Sequence, residues 1–413
     1  MAALNPIVRP QFVAVLVKLE ATEGVDAGPS GALDALPVEQ DSITFTTPWK
    51  MLDTNEATGV LVDSAPIAVG QPATITFRSR IKGAGAGVTY SSTVKPPAHQ
   101  ALSACGKRGY FQTAVATAVA TAGSTTSATL GTGFATTAQQ YRGMPAVIGT
   151  GTNNGATPMI TDYSASKVAT FTDLFSTACD VTSSISVPAN WTYAGTSPTV
   201  AANRTTDQPS ATIYFYKDGL LYKFFACRGQ VDIDATTNNN GFFMFSFTGV
   251  FGGQTDAALP TLTYASQSAP LFLQSQGSDL AFAANRKALP VSKFGLKENA
   301  TVDSPMDPNS PYGFAPAVIS QRSPALSFDP LLTLTATRQS LAEIGAATNY
   351  SAVARFGQTN GNRAAITFPL IQLVQANPGT RGVLATEDMM AKVLASPTQD
   401  AQNRDSDWIL AYW

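Results

Sequence analysis

The sequence predicts a mainly β protein: two tandem β-sandwich or barrel domains, each with one flanking helix, and a small β-domain inserted in the first. Three observations lead there. Short apolar runs alternate with polar residues and end at Gly, Pro, Asn or Asp. Asp218-Gly219 and Asn360-Gly361 each separate two strand-type runs, a strong hairpin signal. A strand–helix–glycine unit also occurs twice. Residues 71–77 precede His99-Gln-Ala-Leu-Ser-Ala-Cys-Gly106, and residues 323–328 precede Arg338-Gln-Ser-Leu-Ala-Glu-Ile-Gly345. A repeated supersecondary unit implies duplicated domains.

Residues 12–17 and 43–47 read as strands, and the Gly/Pro-rich stretch 23–31 reads as a loop. Residues 48–70 lack periodicity and predict a long irregular loop. Its counterpart is 293–321, with Pro305, Pro308, Pro311 and Pro316. Long loops of this kind are usually functional. Residues 73–78 alternate as a strand. Pro96 and Pro97 suit a helix start and Gly106 its stop. Ala98, Leu102 and Cys105 fall on one face of that helix, with Leu334, Leu341 and Ile344 expected to do similar work in the second copy.

Residues 110–207 read as the inserted β-domain, beginning with an Ala-rich run and continuing through β-type runs at 141–148, 159–163 and 167–171. The chain resumes with 211–216 and 220–225 across Asp218-Gly219, then 229–234 and 241–248 across the asparagines at 238–240. The second half mirrors this with 364–374, Asn377-Pro378-Gly379 and a closing segment. The expected domains are 1–109 with 208–270, the insertion 110–207, and 271–413.

Charged residues make up 13% of the 413-residue chain, about half the ordinary globular share. So neutral a surface is expected to be covered by other subunits. Basic residues number 26 and acidic residues 28, which argues against a basic patch for nucleic acid. No apolar run is long enough for a membrane span. The N-terminus lacks the features of a secretory signal, so synthesis and assembly in a cytoplasm are expected. Cys105, Cys179 and Cys227 form no CxxC pair and read as small buried apolar residues. His99 is the only histidine, expected as a partly exposed helix residue rather than a general base. The glycines at 83–87 lack the following lysine of a phosphate loop. No catalytic, cofactor or metal residue is expected.

Several passages resemble a major tail tube protein of a long-tailed, siphovirus-type bacteriophage. They are Glu20-Ala-Thr-Glu-Gly-Val-Asp26 after the opening strand, residues 72–80 running into 97–106, and above all residues 211–260, including Asp218-Gly-Leu-Leu-Tyr-Lys-Phe-Phe-Ala-Cys-Arg-Gly229. The resemblance implies tail-tube-type β-sandwich domains whose sheets join those of neighbouring subunits in a ring. It further implies stacked rings that form a DNA-conducting tube in the virion. Two such domains per chain imply a homotrimeric, pseudo-hexameric ring. The partners implied are further copies of the chain, the tail terminator, tail tip and tape-measure proteins, and viral DNA in passage.

Candidate functional positions follow. Asp232 and Asp234 share one strand face, and an acidic lumen wall would repel phosphates. Trp49, Leu52, Pro308 and Tyr312 lie in the paired long loops and are candidate inter-ring contacts. The apolar C-terminus, with Trp408, Tyr412 and Trp413, is expected to be buried, as a closing strand or in subunit docking. The rival readings are another virion protein, such as a tail terminator or capsid decoration, and a carbohydrate-binding insertion using Tyr141, Tyr163, Trp191 and Tyr193.

Overall fold

The computed structural model describes residues 8–198, 200, 203–264 and 269–413. The principal strands of the first half are β1 (Val13–Leu19), β2 (Ala73–Arg80), β3 (Lys107–Gln112), β4 (Asn190–Gly195), β5 (Ala211–Lys217), β6 (Leu220–Thr236) and β7 (Gly241–Asp256). Helix α1 (His99–Ala104) lies between β2 and β3. The second half holds β8 (Phe282–Ala284), β9 (Val291–Lys297), β10 (Ala325–Pro330), β11 (Asn349–Thr359), β12 (Asn362–Arg381), β13 (Leu384–Val393) and β14 (Ile409–Tyr412). Helix α2 (Ser340–Gly345) lies between β10 and β11. The chain is mainly β, with large antiparallel sheets.

Alternation builds the sheets. In β2, Ala73, Ile75, Phe77 and Ser79 turn inward while Thr74, Thr76, Arg78 and Arg80 do not. In the first half the ladder runs β1–β5–β6–β7–β2 and ends on the short strand Thr44–Phe45. In the second it runs β8–β11–β12–β13–β10 and ends on β9. The two ladders have the same order, and in each a helix follows the fifth strand named in the chain. Asp218 and Gly219 both have positive φ, which the two-residue β5–β6 turn demands; Gly361 has φ +78 in the β11–β12 turn.

The ladders are not separate bodies. Ile233 to Thr236 of β6 pair with Leu296 to Lys293 of β9, joining the first half to the second. Strand β14 lies between β12 and β4, and β4 pairs in turn with β3. One 17-stranded sheet and one apolar cluster, from Val15 through Phe245 and Phe294 to Tyr412, therefore cross residue 270.

The insertion has its own sheets between Val115 and Val187, and a second apolar cluster that includes Tyr141, Ile148, Tyr163 and Phe171. Residues 107–112 and 190–195 are its paired stem and belong to the main sheet. It is fixed to the second half: Met159 packs with Val353 and Trp413, and Arg355 Nη2 bonds Thr172 Oγ1 at 3.2 Å.

Three local expectations need correction. Residues 48–70 and 293–321 are not irregular loops, because each contains a two-stranded antiparallel hairpin. Asn377-Pro378-Gly379 is not a turn: β12 runs through it and reverses at Gly382, φ +60. Leu334 and Leu341 do not share a core face, since α2 spans only residues 340–345 and both leucines are exposed; Ile344 alone packs against the core.

Candidate assembly surfaces

Each half carries a hairpin arm immediately before the equivalent strand. The first arm pairs Trp49–Leu52 with Ile67–Gly70 and precedes β2. The second pairs Thr301–Asp303 with Val318–Gln321 and precedes β10. The arms meet within one chain. Trp49 contacts Tyr312 edge-on, with ring centroids 5.1 Å apart. The Tyr312 backbone, at φ +57, lies so close over Gly70 that a Cβ there would overlap its carbonyl. Trp49 and Tyr312, two of the four predicted contact residues, thus touch each other. Leu52 and Pro308 remain exposed, Pro308 in a turn where Asp307 accepts from the Asn309 amide at 2.9 Å. The first arm exposes an apolar series: Trp49, Met51, Leu52, Val60, Leu61, Val62 and Ile67, with Leu61 fully exposed.

The strand face carrying Asp232 and Asp234 is mixed in charge rather than acidic. Asp232 accepts from Lys297 Nζ at 3.0 Å and from the Glu298 amide at 2.9 Å. It is committed to joining β6 to β9. Asp234 is exposed and pairs across the sheet with Phe242, which in turn pairs with Arg80. The Arg78 guanidinium lies 4.4 Å from the Phe242 ring. Cations therefore stand on the same face as the aspartates.

Of the two places expected for the apolar C-terminus, it takes that of a closing strand and not that of a subunit-docking surface. Trp408 and Tyr412 are fully buried and Trp413 nearly so, inside their own chain. β14 closes the sheet, so these side chains offer nothing to a neighbour. Trp408 also belongs to a buried ionic cluster that ties the halves together. Its Nε1 donates to Glu298 Oε2 at 2.6 Å. Lys107 Nζ lies 2.8 Å from Glu298 Oε1 and 3.9 Å from the Trp408 ring centroid. Arg322 Nη1 reaches Asp407 at 3.3 Å and Glu298 at 3.6 Å. Burial pushes Glu298 above the usual carboxylate range, with Lys107 opposing it only in part. At Asp407 burial acts the same way, but Lys107 and Arg322 outweigh it and hold the carboxyl low. These charges are far apart in sequence, and no local signal announces them.

The rings of the rival carbohydrate-binding reading are closed to a sugar. Tyr163 and Tyr193 are fully buried, and Tyr141 and Trp191 nearly so. Trp191 and Tyr193 stand in the main sheet, where Tyr193 Oη lies 2.9 Å from His99 Nδ1. His99 is partly buried between these rings, and burial, aided by Lys95, lowers its pKa to about 4. The three cysteines are buried and free. Among the described residues no group of three or more His, Cys, Asp or Glu side chains is placed to hold a metal. No helix among them is long and apolar enough to cross a membrane.

No protein-family model matches the chain, and no curated protein matches it.

Proposed function

We propose that this chain is a structural virion subunit that assembles with copies of itself into rings, and that the rings stack into a tail tube conducting phage DNA. Three copies, each supplying two ladder units, make a pseudo-sixfold ring. The tube is built in the bacterial host cytoplasm and ends in the virion, with the terminator, tip and tape-measure proteins as partners. The observation that carries this reading is the repeated ladder. Two units of identical strand order, joined edge to edge and each bearing an arm at the same point, are what a ring with fewer chains than seats requires. The exposed apolar series on the first arm supports contact between rings, since apolar patches of that kind mark interaction sites.

A tail terminator or capsid decoration shares the ring but does not polymerise along an axis. Negative-stain microscopy of the purified protein separates the readings. Rings together with long filaments are expected. Closed rings that never stack would favour a terminator, and isolated globules at every concentration would overturn ring assembly.

A further inference from the structure

The two ladders differ at one edge. In β6, the side facing β5 is paired from Leu220 to Cys227, and further along it is paired again, from Ile233 to Thr236, with β9. In β12, the corresponding side is paired with β11 only as far as Gln372. Among the described residues no strand covers that side beyond it. The rungs fix the correspondence. Phe77 pairs with Phe245 and Phe245 with Val231; Phe328 pairs with Met389 and Met389 with Ala376. Counting from these rungs, Pro378 to Arg381 stand where Ile233 to Thr236 stand. At the other end of the ladder, Thr44 and Phe45 pair with Thr76 and Ile75, while Gly295 and Leu296 pair with Ser327 and Leu326. By the same count Ser42, the last residue of the 3-10 turn Gln40–Ser42, to Phe45 take the seat of Lys293 to Leu296, and among the described residues no strand lies beside their outer edge.

The backbone polarity agrees. The Thr46 amide donates to Thr74 O, so Ile43 and Phe45, one residue out of phase, turn their amides and carbonyls to the open side. The Leu332 amide donates to Ala385 O on the far side of β13. Ala385 faces Thr380 across the β12–β13 pair, so Thr380 likewise presents its backbone to the open edge. Ile43 and Phe45 pack on the core as Phe294 and Leu296 do. Pro378 supplies a carbonyl but no amide, which shortens the edge and limits wrong pairings.

We infer that the junction inside the chain is repeated between chains: residues 378–381 of one copy pair antiparallel with residues 45–42 of the next. The register is Pro378 with Phe45, Gly379 with Thr44, Thr380 with Ile43 and Arg381 with Ser42. The contact is head-to-tail, which builds a ring when its rotation closes and never a two-fold dimer. This rests on the ring reading above and specifies how its seats connect.

The test is a disulfide across the register, in the full chain carrying both Gly379→Cys and Thr44→Cys. These two face each other at a position without backbone hydrogen bonds, where side chains come closest. The native cysteines are buried and add no background. A Cβ at Gly379 would sit 2.8 Å from Thr386 Oγ1, so a second pair, Arg381→Cys with Ser42→Cys, probes the same register without that crowding. Oxidation should convert most of the assembled protein into covalent multiples of the chain, reversed by reductant, with neither single substitution doing so. Rings visible by microscopy with no covalent multiples from either pair would overturn the register and leave the ring reading standing. Absence of rings in the unmodified protein would overturn both.

Discussion

The ends of β6 and β12 hold the same position in two ladders of the same order, yet one is covered and the other open. Ile233 and Ala235 are buried beneath the pairing with β9. Pro378 and Thr380 are exposed. The second half does for the first what no strand among the described residues does for the second. An edge left open in solution invites unwanted pairing, and this one carries a usual protection: a proline on the free side, which offers no amide to a passing strand. The asymmetry lies in the edges, while the ladders themselves agree.

The largest expected effect comes from removing β14, one of the strands that bind the halves to each other. Deleting residues 408–413 takes out β14 together with the buried Trp408 and Trp413. No soluble folded chain should be recovered, and a soluble, cooperatively melting product would show that the halves hold without it. Cutting the ionic tie is milder. Glu298→Ala leaves Lys107 and Arg322 buried without their shared carboxylate and should cost about 3–5 kcal/mol in urea unfolding. A loss below about 1 kcal/mol would mean that Asp407 suffices for both cations.

Acid separates two buried groups, one in each half, that respond oppositely. His99 in the first half stays neutral down to about 4 when folded, against 6.5 ordinarily. The unfolded chain takes up that proton first, so His99 drains stability as pH falls from about 6.5 to 4. Burial raises Asp279 in the second half to about 6 from 3.8, so there the folded chain binds the proton first and stability rises as pH falls through that range. His99→Gln should therefore gain about 2 kcal/mol on the parent protein between pH 7 and pH 4.5. Urea midpoints at the two pH values check it, and parallel shifts in both proteins would remove His99 from the account.

The smallest effect on folding should come from the arms. Trp49→Asp, at a half-exposed position, should change unfolding free energy by no more than about 0.5 kcal/mol. It should nevertheless leave rings that do not stack. Filaments of normal length from this variant would exclude the first arm from ring-to-ring contact.

Much of this fold was legible because local chemistry and global packing agree. Asp218-Gly219 and Asn360-Gly361 mark real hairpins, and the alternation of β2 marks a real half-buried strand. Pro96, Pro97 and Gly106 bracket α1, where Gly106 takes φ +68. The arms were missed for a physical reason: both faces of Trp49–Leu52 are exposed, so selection for a buried face leaves no period-two pattern. Asn377-Pro378-Gly379 misled because its turn chemistry sits on an edge, where a missing amide is tolerated. Aromatic residues were ambiguous as well, since Trp191 and Tyr193 serve the core as readily as they would a sugar. The pairing of Lys107 with Glu298 joins residues 191 positions apart, beyond the reach of any local pattern.

Hydrogen exchange at one amide tests the central claim without any substitution. The Thr237 amide, bonded to Ser292 O at 2.7 Å, is the covered reference at the junction within the chain. Thr380 should exchange quickly in dilute single chains and slow at least tenfold on assembly, approaching Thr237. If Thr380 exchanges at the same fast rate in assembled particles, the open edge is not where copies meet, and the account fails.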